Sequence, residues 1–130
     1  EWVPLPGQKT RVPYYLRMRD ASYFTFAGLW DRWRDPDGHD LLTCTLITTS
    51  PNELIRPLHD RMPVILPADA RARWLDPEPR EPADMLPLLR AYPADLMRLH
   101  PVSTRVNRPG FDDPACIEPA PGPISLPGFE

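Results

Sequence analysis

Lysine is nearly missing from this 130-residue chain: of its fifteen basic residues all but Lys9 are arginine. Eighteen aspartates and glutamates outnumber them, and the net charge is -3. That balance excludes a global positive field of the kind that holds nucleic acid or an anionic membrane, so any phosphate binding must be local. Arginine suits local bidentate contacts. A GC-rich coding sequence produces the same bias, however, and the composition carries almost no functional weight. Cysteine is scarce too. Cys44 and Cys116 show neither metal-ligand spacing nor the framework of a disulfide-stapled secreted domain. Cys44, inside LLTCTLIT, is expected to pack as a small apolar residue. No hydrophobic run reaches the length that spans a bilayer, and no signal peptide opens the chain. The three histidines, His39, His59 and His100, lack metal-ligand spacing, and no cluster of carboxylates joins them. No metal or other cofactor is expected, and the chain reads as soluble and cytoplasmic, without a membrane partner.

What is abundant is proline. The 20 prolines are about three times the usual share, which favours short strands, turns and extended connections over long helices. With 42% hydrophobic and 25% charged residues the composition is globular, and the length suits one domain or a piece of one. The segment around Glu1-Trp2 gives no helix or strand a natural beginning, so a fragment lacking its N-terminal part is expected.

Along the chain, VPYYLRMR (12–19) alternates, with Val12, Tyr14, Leu16 and Met18 on one face, as a half-buried strand does. YFTFAGLW (23–30) reads as a second strand, expected to pair with the first as a hairpin, with Gly28 where another backbone approaches closely. The turn-dense RDPDGHD (34–40) leads to a third strand, LLTCTLITT, whose apolar face is Leu42, Cys44 and Leu46. SPNELIRPL (50–58) carries a helix start, with Ser50 as N-cap, Pro51 behind it and Glu53 three residues on, cut short by Pro57. MPVIL (62–66) is a fourth strand, PADARARWL (67–75) a helix, 82–98 a proline-broken helical stretch and 99–106 a last strand. A loop-like tail follows from Asn107. The expected class is α+β, a mostly antiparallel and partly closed β-sheet with short peripheral helices.

The segment IRPLHDRMPVILP (55–67) places His59, Asp60 and Arg61 in a row before a strand. A histidine there can simply begin a turn, and an arginine can simply face water. Trp30, Trp33 and Trp74 read as packing residues, and His39 as exposed in its loop. His100, before Pro101, reads as ordering the last strand.

Several segments together closely resemble the SRAP domain, the SOS-response-associated peptidase family of abasic-site processing proteins. They are the Glu1-Trp2 pair, VPYYLRMRD, FTFAGLWDRW, LITTSPNELIRPLHDRMPVILP, RWLDP and HPVSTRVN, in that order, covering Glu1 to about Pro119. The resemblance implies the later, larger portion of a single SRAP-like domain over 1–119, with 120–130 as a C-terminal tail. It implies a monomeric bacterial protein, nucleoid-associated during repair, whose partner is single-stranded DNA with abasic sites. The family's nucleophile is an N-terminal cysteine, exposed when the initiator methionine is removed, whose amine and thiol condense with the ring-opened sugar into a thiazolidine. An associated autopeptidase activity is implied as well. The family's glutamate falls on Glu1 and its histidine on His59, as catalytic groups; Arg61, Thr48 and Trp2 fall on DNA-contacting positions. The N-terminal cysteine and a helper asparagine have no counterpart here, and neither Cys44 nor Cys116 stands in for the nucleophile. Crosslinking by these residues alone is not expected.

The implied roles fit the chemistry. Opening the hemiacetal, forming the imine and adding the thiolate each move protons, and histidine, titrating near about pH 6.5, serves as acid or base for such steps. A carboxylate at Glu1 can take the amine's proton and steady the cationic imine. Two residues apart on an extended segment, Arg61 and His59 are expected to point the same way, with Glu1 converging on the same groove, and the guanidinium to anchor the phosphate beside the damaged sugar. A non-catalytic single-stranded-DNA-binding module on the same scaffold is the alternative. A general protease is a third reading, and it lacks a substrate-cleft or serine-nucleophile motif.

Overall fold

The computed structural model of the chain describes residues 2–4 and 11–120. These fall into two compact units, one built from Glu1–Tyr23, Glu53–Asp60 and Pro93–Glu130, the other from Phe24–Asn52 and Arg61–Tyr92. The class is α+β, with antiparallel strands and a few short helices, and among the described residues no sheet closes on itself.

In the first unit, β1 (Trp2–Pro4), β2 (Arg11–Met18) and β9 (Met97–Pro101) form a sheet with β2 in the middle. Both pairings are antiparallel, with Trp2 opposite Pro13 and Met18 opposite Met97. The alternation in β2 is kept only in part: Tyr14 and Met18 are buried, but so is Pro13, and Tyr15 and Arg17 are half-buried like Leu16; Val3, Val12, Leu58 and Leu99 pack with Tyr14. Removing that apolar face from water is what holds the three strands together. Pro13 lacks an N–H for the ladder, yet its carbonyl accepts from Val102 N–H at 2.9 Å.

Four expectations change in this unit. The Glu1-Trp2 region does start a strand, because Val3 supplies a side chain to the core. The strand at 12–19 does not pair with the next one, since β1 and β9 occupy its two edges. Residues 53–58 form turns instead of a helix. The N–H groups of Leu58 and His59 both donate to Ile55 O, at 2.8 and 3.0 Å, and close one turn. Pro57 has no N–H to offer Glu53 O, so the helix cannot propagate. The last strand is also shorter than 99–106. It starts at Met97, and Thr104–Asn107 wind into a 3₁₀ turn whose Ser103 Oγ accepts from Arg105 N–H.

The second unit is made of three strand pairs: β3 (Thr25–Phe26) with β8 (Ile65–Leu66), β4 (Gly28–Arg34) with β5 (Asp40–Leu46), and β6 (Thr48–Thr49) with β7 (Met62–Pro63). A single residue separates β3 from β4, β5 from β6 and β7 from β8, and those three residues bond to one another in a ring. Ala27 N–H donates to Val64 O at 2.8 Å, Val64 N–H to Ile47 O at 2.9 Å, and Ile47 N–H to Ala27 O at 3.0 Å. The ring keeps backbone groups satisfied at a point where ladders end, which a fully buried site requires. Ala27 and Val64 are fully buried there, packed with Leu66, Ile47, Trp74, Leu88 and Leu89.

Helices α1 (Arg71–Leu75) and α2 (Pro82–Met85) are short because prolines flank them. Trp74 on α1 donates its indole N–H to Gly28 O at 3.2 Å. A Cβ at Gly28 would stand 3.0 Å from Thr45 O, so the close backbone approach read from the sequence is present. The β4–β5 hairpin turns through Gly38 at φ +90, and Arg34 forks onto Asp40 across its mouth. Its Leu42, Cys44 and Leu46 are exposed, contrary to the apolar packing expected of them, because this two-stranded ribbon has no third strand beside it among the described residues. No helix among the described residues is long and apolar enough to cross a membrane.

Candidate DNA-interaction residues

Arg61 directly precedes β7, and Thr48 lies in β6, where its register partner is Pro63. Arg61 is therefore the diagonal neighbour of Thr48 on one face, within reach of a long side chain. Its guanidinium takes that reach: Nη2 donates to Thr48 O at 2.7 Å and to Thr48 Oγ1 at 2.8 Å, and Nε reaches the same hydroxyl at 3.2 Å. Both residues are exposed. The outcome is a cation held in a fixed direction at the protein surface, a geometry suited to a phosphate oxygen.

His59 ends the single turn closed on Ile55, in the first unit. Leu58 beside it packs on the core of Val3 and Tyr14, so the turn is anchored while the imidazole stays half exposed. Its Nδ1 lies 3.1 Å from Asp60 Oδ1, and the Asp60 carboxylate is 90% exposed. A carboxylate at Nδ1 favours the tautomer that carries its hydrogen there and leaves Nε2 as the other polar atom of the ring.

Trp2 is half exposed at the start of β1, and its indole N–H donates to Asn107 Oδ1 at 2.6 Å. Glu1 lies outside the described residues. The structure thus brings Arg61 to Thr48 and gives His59 and Trp2 partners, Asp60 and Asn107, that were not among the expected site residues. Asn107 closes the HPVSTRVN block, and its place in that block is the signal that could have singled it out.

The other histidines are tied into local structure. His39 Nδ1 meets Asp35 Oδ2 at 3.1 Å in an exposed turn. His100 meets Ile117 O at 2.8 Å through Nε2 and stands edge-on to Tyr15, joining β9 to the turn at Pro114–Ile117. Among the described residues no group of histidine, cysteine and carboxylate side chains could hold a metal ion.

The chain is 43% identical over 118 residues to the abasic site processing protein YoqW of Bacillus subtilis, a match covering 91% of this chain and 52% of YoqW. It is 40% identical over 103 residues to the abasic site processing protein HMCES of Gallus gallus, covering 78% of this chain and 30% of that protein. A crystal structure of a protein from Bacteroides thetaiotaomicron superposes with a TM-score of 0.81 at 28% identity, over 92% of this chain and 52% of that one. The chain thus spans about half the length, or less, of the relatives it matches. The family model for SOS response associated peptidase (SRAP) matches residues 1–109, a stretch that contains Trp2, Thr48, His59, Arg61 and Asn107, and the chain belongs to that family.

Proposed function

We propose that these residues form the later portion, 1–119, of an SRAP domain that processes abasic sites in single-stranded DNA. In this reading the covalent step is made by an N-terminal cysteine contributed from outside these residues, whose amine attacks the ring-opened aldehyde with loss of water. Its thiolate then closes the thiazolidine on the resulting imine carbon. His59 moves the protons, Glu1 takes the proton of the attacking amine, and Arg61, aligned by Thr48, holds a phosphate while Trp2 meets a base. The same cysteine would serve the autopeptidase activity. The observation that carries the reading is the 43% identity to a protein named for abasic-site processing, over a stretch that includes the HDR triplet.

The experiment incubates the full-length protein with a single-stranded oligonucleotide bearing one abasic site and, separately, with its intact counterpart. A protein–DNA adduct that survives a denaturing gel and forms on the damaged strand alone is the expected result. Binding to both strands without an adduct would instead identify a non-catalytic single-stranded-DNA-binding module.

A further inference from the structure

Trp2 and Asn107 are 105 positions apart and joined by a 2.6 Å hydrogen bond on the surface of the first unit. The path between them is short in space because three features align. Trp2 stands opposite Pro13 in the β1–β2 register, Pro13 O accepts from Val102 N–H, and Val102 is buried directly before the capped turn that ends at Asn107. The turn is thus rooted beside the row that carries Trp2 and returns an amide oxygen to the indole edge. An exposed aromatic ring ordinarily samples several rotamers, and a bond at its one polar atom selects among them. The same turn region carries Arg105 and Arg108, both exposed, whose charge complements a phosphate backbone.

We propose that Asn107 is a positioning residue: it fixes the indole of Trp2 so that the ring presents its face to an unstacked base of single-stranded DNA. The proposal rests on the function given above. Base stacking on a protein aromatic is tolerant of sequence and strong when the ring is held in advance, since less freedom is lost on binding.

The test uses the full-length protein and a single-stranded oligonucleotide containing a tetrahydrofuran abasic analogue, which has no aldehyde and reads binding alone. Asn107→Leu removes the acceptor, and Trp2→Phe removes the donor while keeping an aromatic ring. Each should weaken binding about 5- to 10-fold, and the double variant should lose no more than the weaker single variant, because both break one bond. The indole ¹H–¹⁵N resonance that disappears in Trp2→Phe identifies Trp2, and it should move in Asn107→Leu and stay in Asn107→Asp, which keeps the acceptor. Losses that multiply in the double variant would overturn the inference, as would parent-level binding by Asn107→Leu once that resonance has moved. If Asn107→Leu does not fold, parent-level binding by Trp2→Phe overturns it from the other side. Failure of the parent protein to bind the oligonucleotide at all would be a failure of the proposed function itself.

Discussion

Arg61 grips Thr48 twice, once through the threonine hydroxyl and once through its main-chain carbonyl, so the guanidinium direction is set by the backbone of β6 as well as by a side chain. A lysine cannot copy this. Its three donors radiate from one nitrogen on a flexible stem, without the planar fork that fixes a direction.

If Arg61 contacts phosphate, Arg61→Ala weakens binding to damaged and intact single strands alike and lowers the salt slope by about 0.7, the single-strand value for one phosphate. Over the interval from about 50 to 200 mM salt, that is roughly a threefold smaller loss of affinity than the parent shows. Thr48→Val removes the hydroxyl acceptor and leaves the charge, so it should reduce affinity without changing the slope. Equilibrium binding at several salt concentrations separates the two. An unchanged slope in Arg61→Ala means the arginine serves only to tie β6 to β7.

His59 has the opposite expected signature. Its turn is anchored by Leu58 and by the Ile55 carbonyl, so truncating the imidazole leaves the backbone supported. His59→Ala should slow adduct formation by about 10²-fold, the lower end of what a general acid–base contributes, while binding of the non-reactive abasic analogue stays at the parent level. Adduct yield against time on a denaturing gel measures the first and equilibrium binding the second. Parent-like rates in His59→Ala would make the histidine a turn residue.

The contrast between these residues shows how far the sequence reaches. The HDR triplet was visible because it is contiguous, and Arg61's reach to Thr48 follows from strand register once MPVIL and LITT are paired. Asn107's bond to Trp2 was invisible, since no spacing rule links positions 105 residues apart. The same limit governs the fold. The buried Tyr14 and Met18 of β2 and the backbone approach at Gly28 are local patterns and were legible. The partner of β2 was not, because it lies some eighty residues downstream at β9, and neighbouring strands are the natural first guess. The missing helix at 50–58 has a plainer cause: Pro57 leaves room for little more than one turn after Ser50, too short for a helix to propagate, and residues 53–58 form turns instead.

A pH effect should appear at the turn that leaves β2. The side chain and N–H of Ser22 hold the Asp20 carboxyl below the ordinary aspartate range, and the N–H lies 2.9 Å from Oδ1. Because the folded-state value is the lower one, the stabilisation is complete above the unfolded value and is lost as pH falls through the folded one. Asp20→Asn should therefore flatten the acid limb of a stability-versus-pH curve and leave the neutral region nearly as it was. A parent and variant that lose stability in parallel below about pH 4 would show that this carboxylate contributes nothing.

Ala21, in that same turn, has φ at +60, where a Cβ crowds the following carbonyl. Glycine removes the crowding, worth roughly 1–2 kcal/mol, and returns about 0.4–1 kcal/mol through the greater freedom of the unfolded chain. Ala21→Gly should then stabilise the protein by up to about 1.5 kcal/mol, read as a higher urea midpoint at unchanged slope. A lower midpoint would mean the turn gains its shape from contacts that the alanine methyl itself makes.

The ring of bonds among Ala27, Val64 and Ile47 carries the last prediction. The three residues stand between consecutive strands that belong to different pairs, each donating one N–H and accepting one, and Ala27 and Val64 are fully buried. Two perturbations act on it differently. Val64→Ala keeps every backbone bond and deletes two methyl groups from a site without solvent, which costs about 2–3 kcal/mol from lost burial and the cavity left behind. Ala27→Val adds the same two methyls at a packed position and costs about 1–3 kcal/mol through displaced neighbours. If the two sites share one packed volume, the double variant recovers part of the loss, because the added methyls fill the space vacated, and its destabilisation is smaller than the sum of the singles by at least about 0.5 kcal/mol. Urea denaturation of the four proteins gives the coupling directly. Strict additivity would mean that the ring joins the strand pairs through its backbone bonds alone, with each side chain packed in a separate compartment.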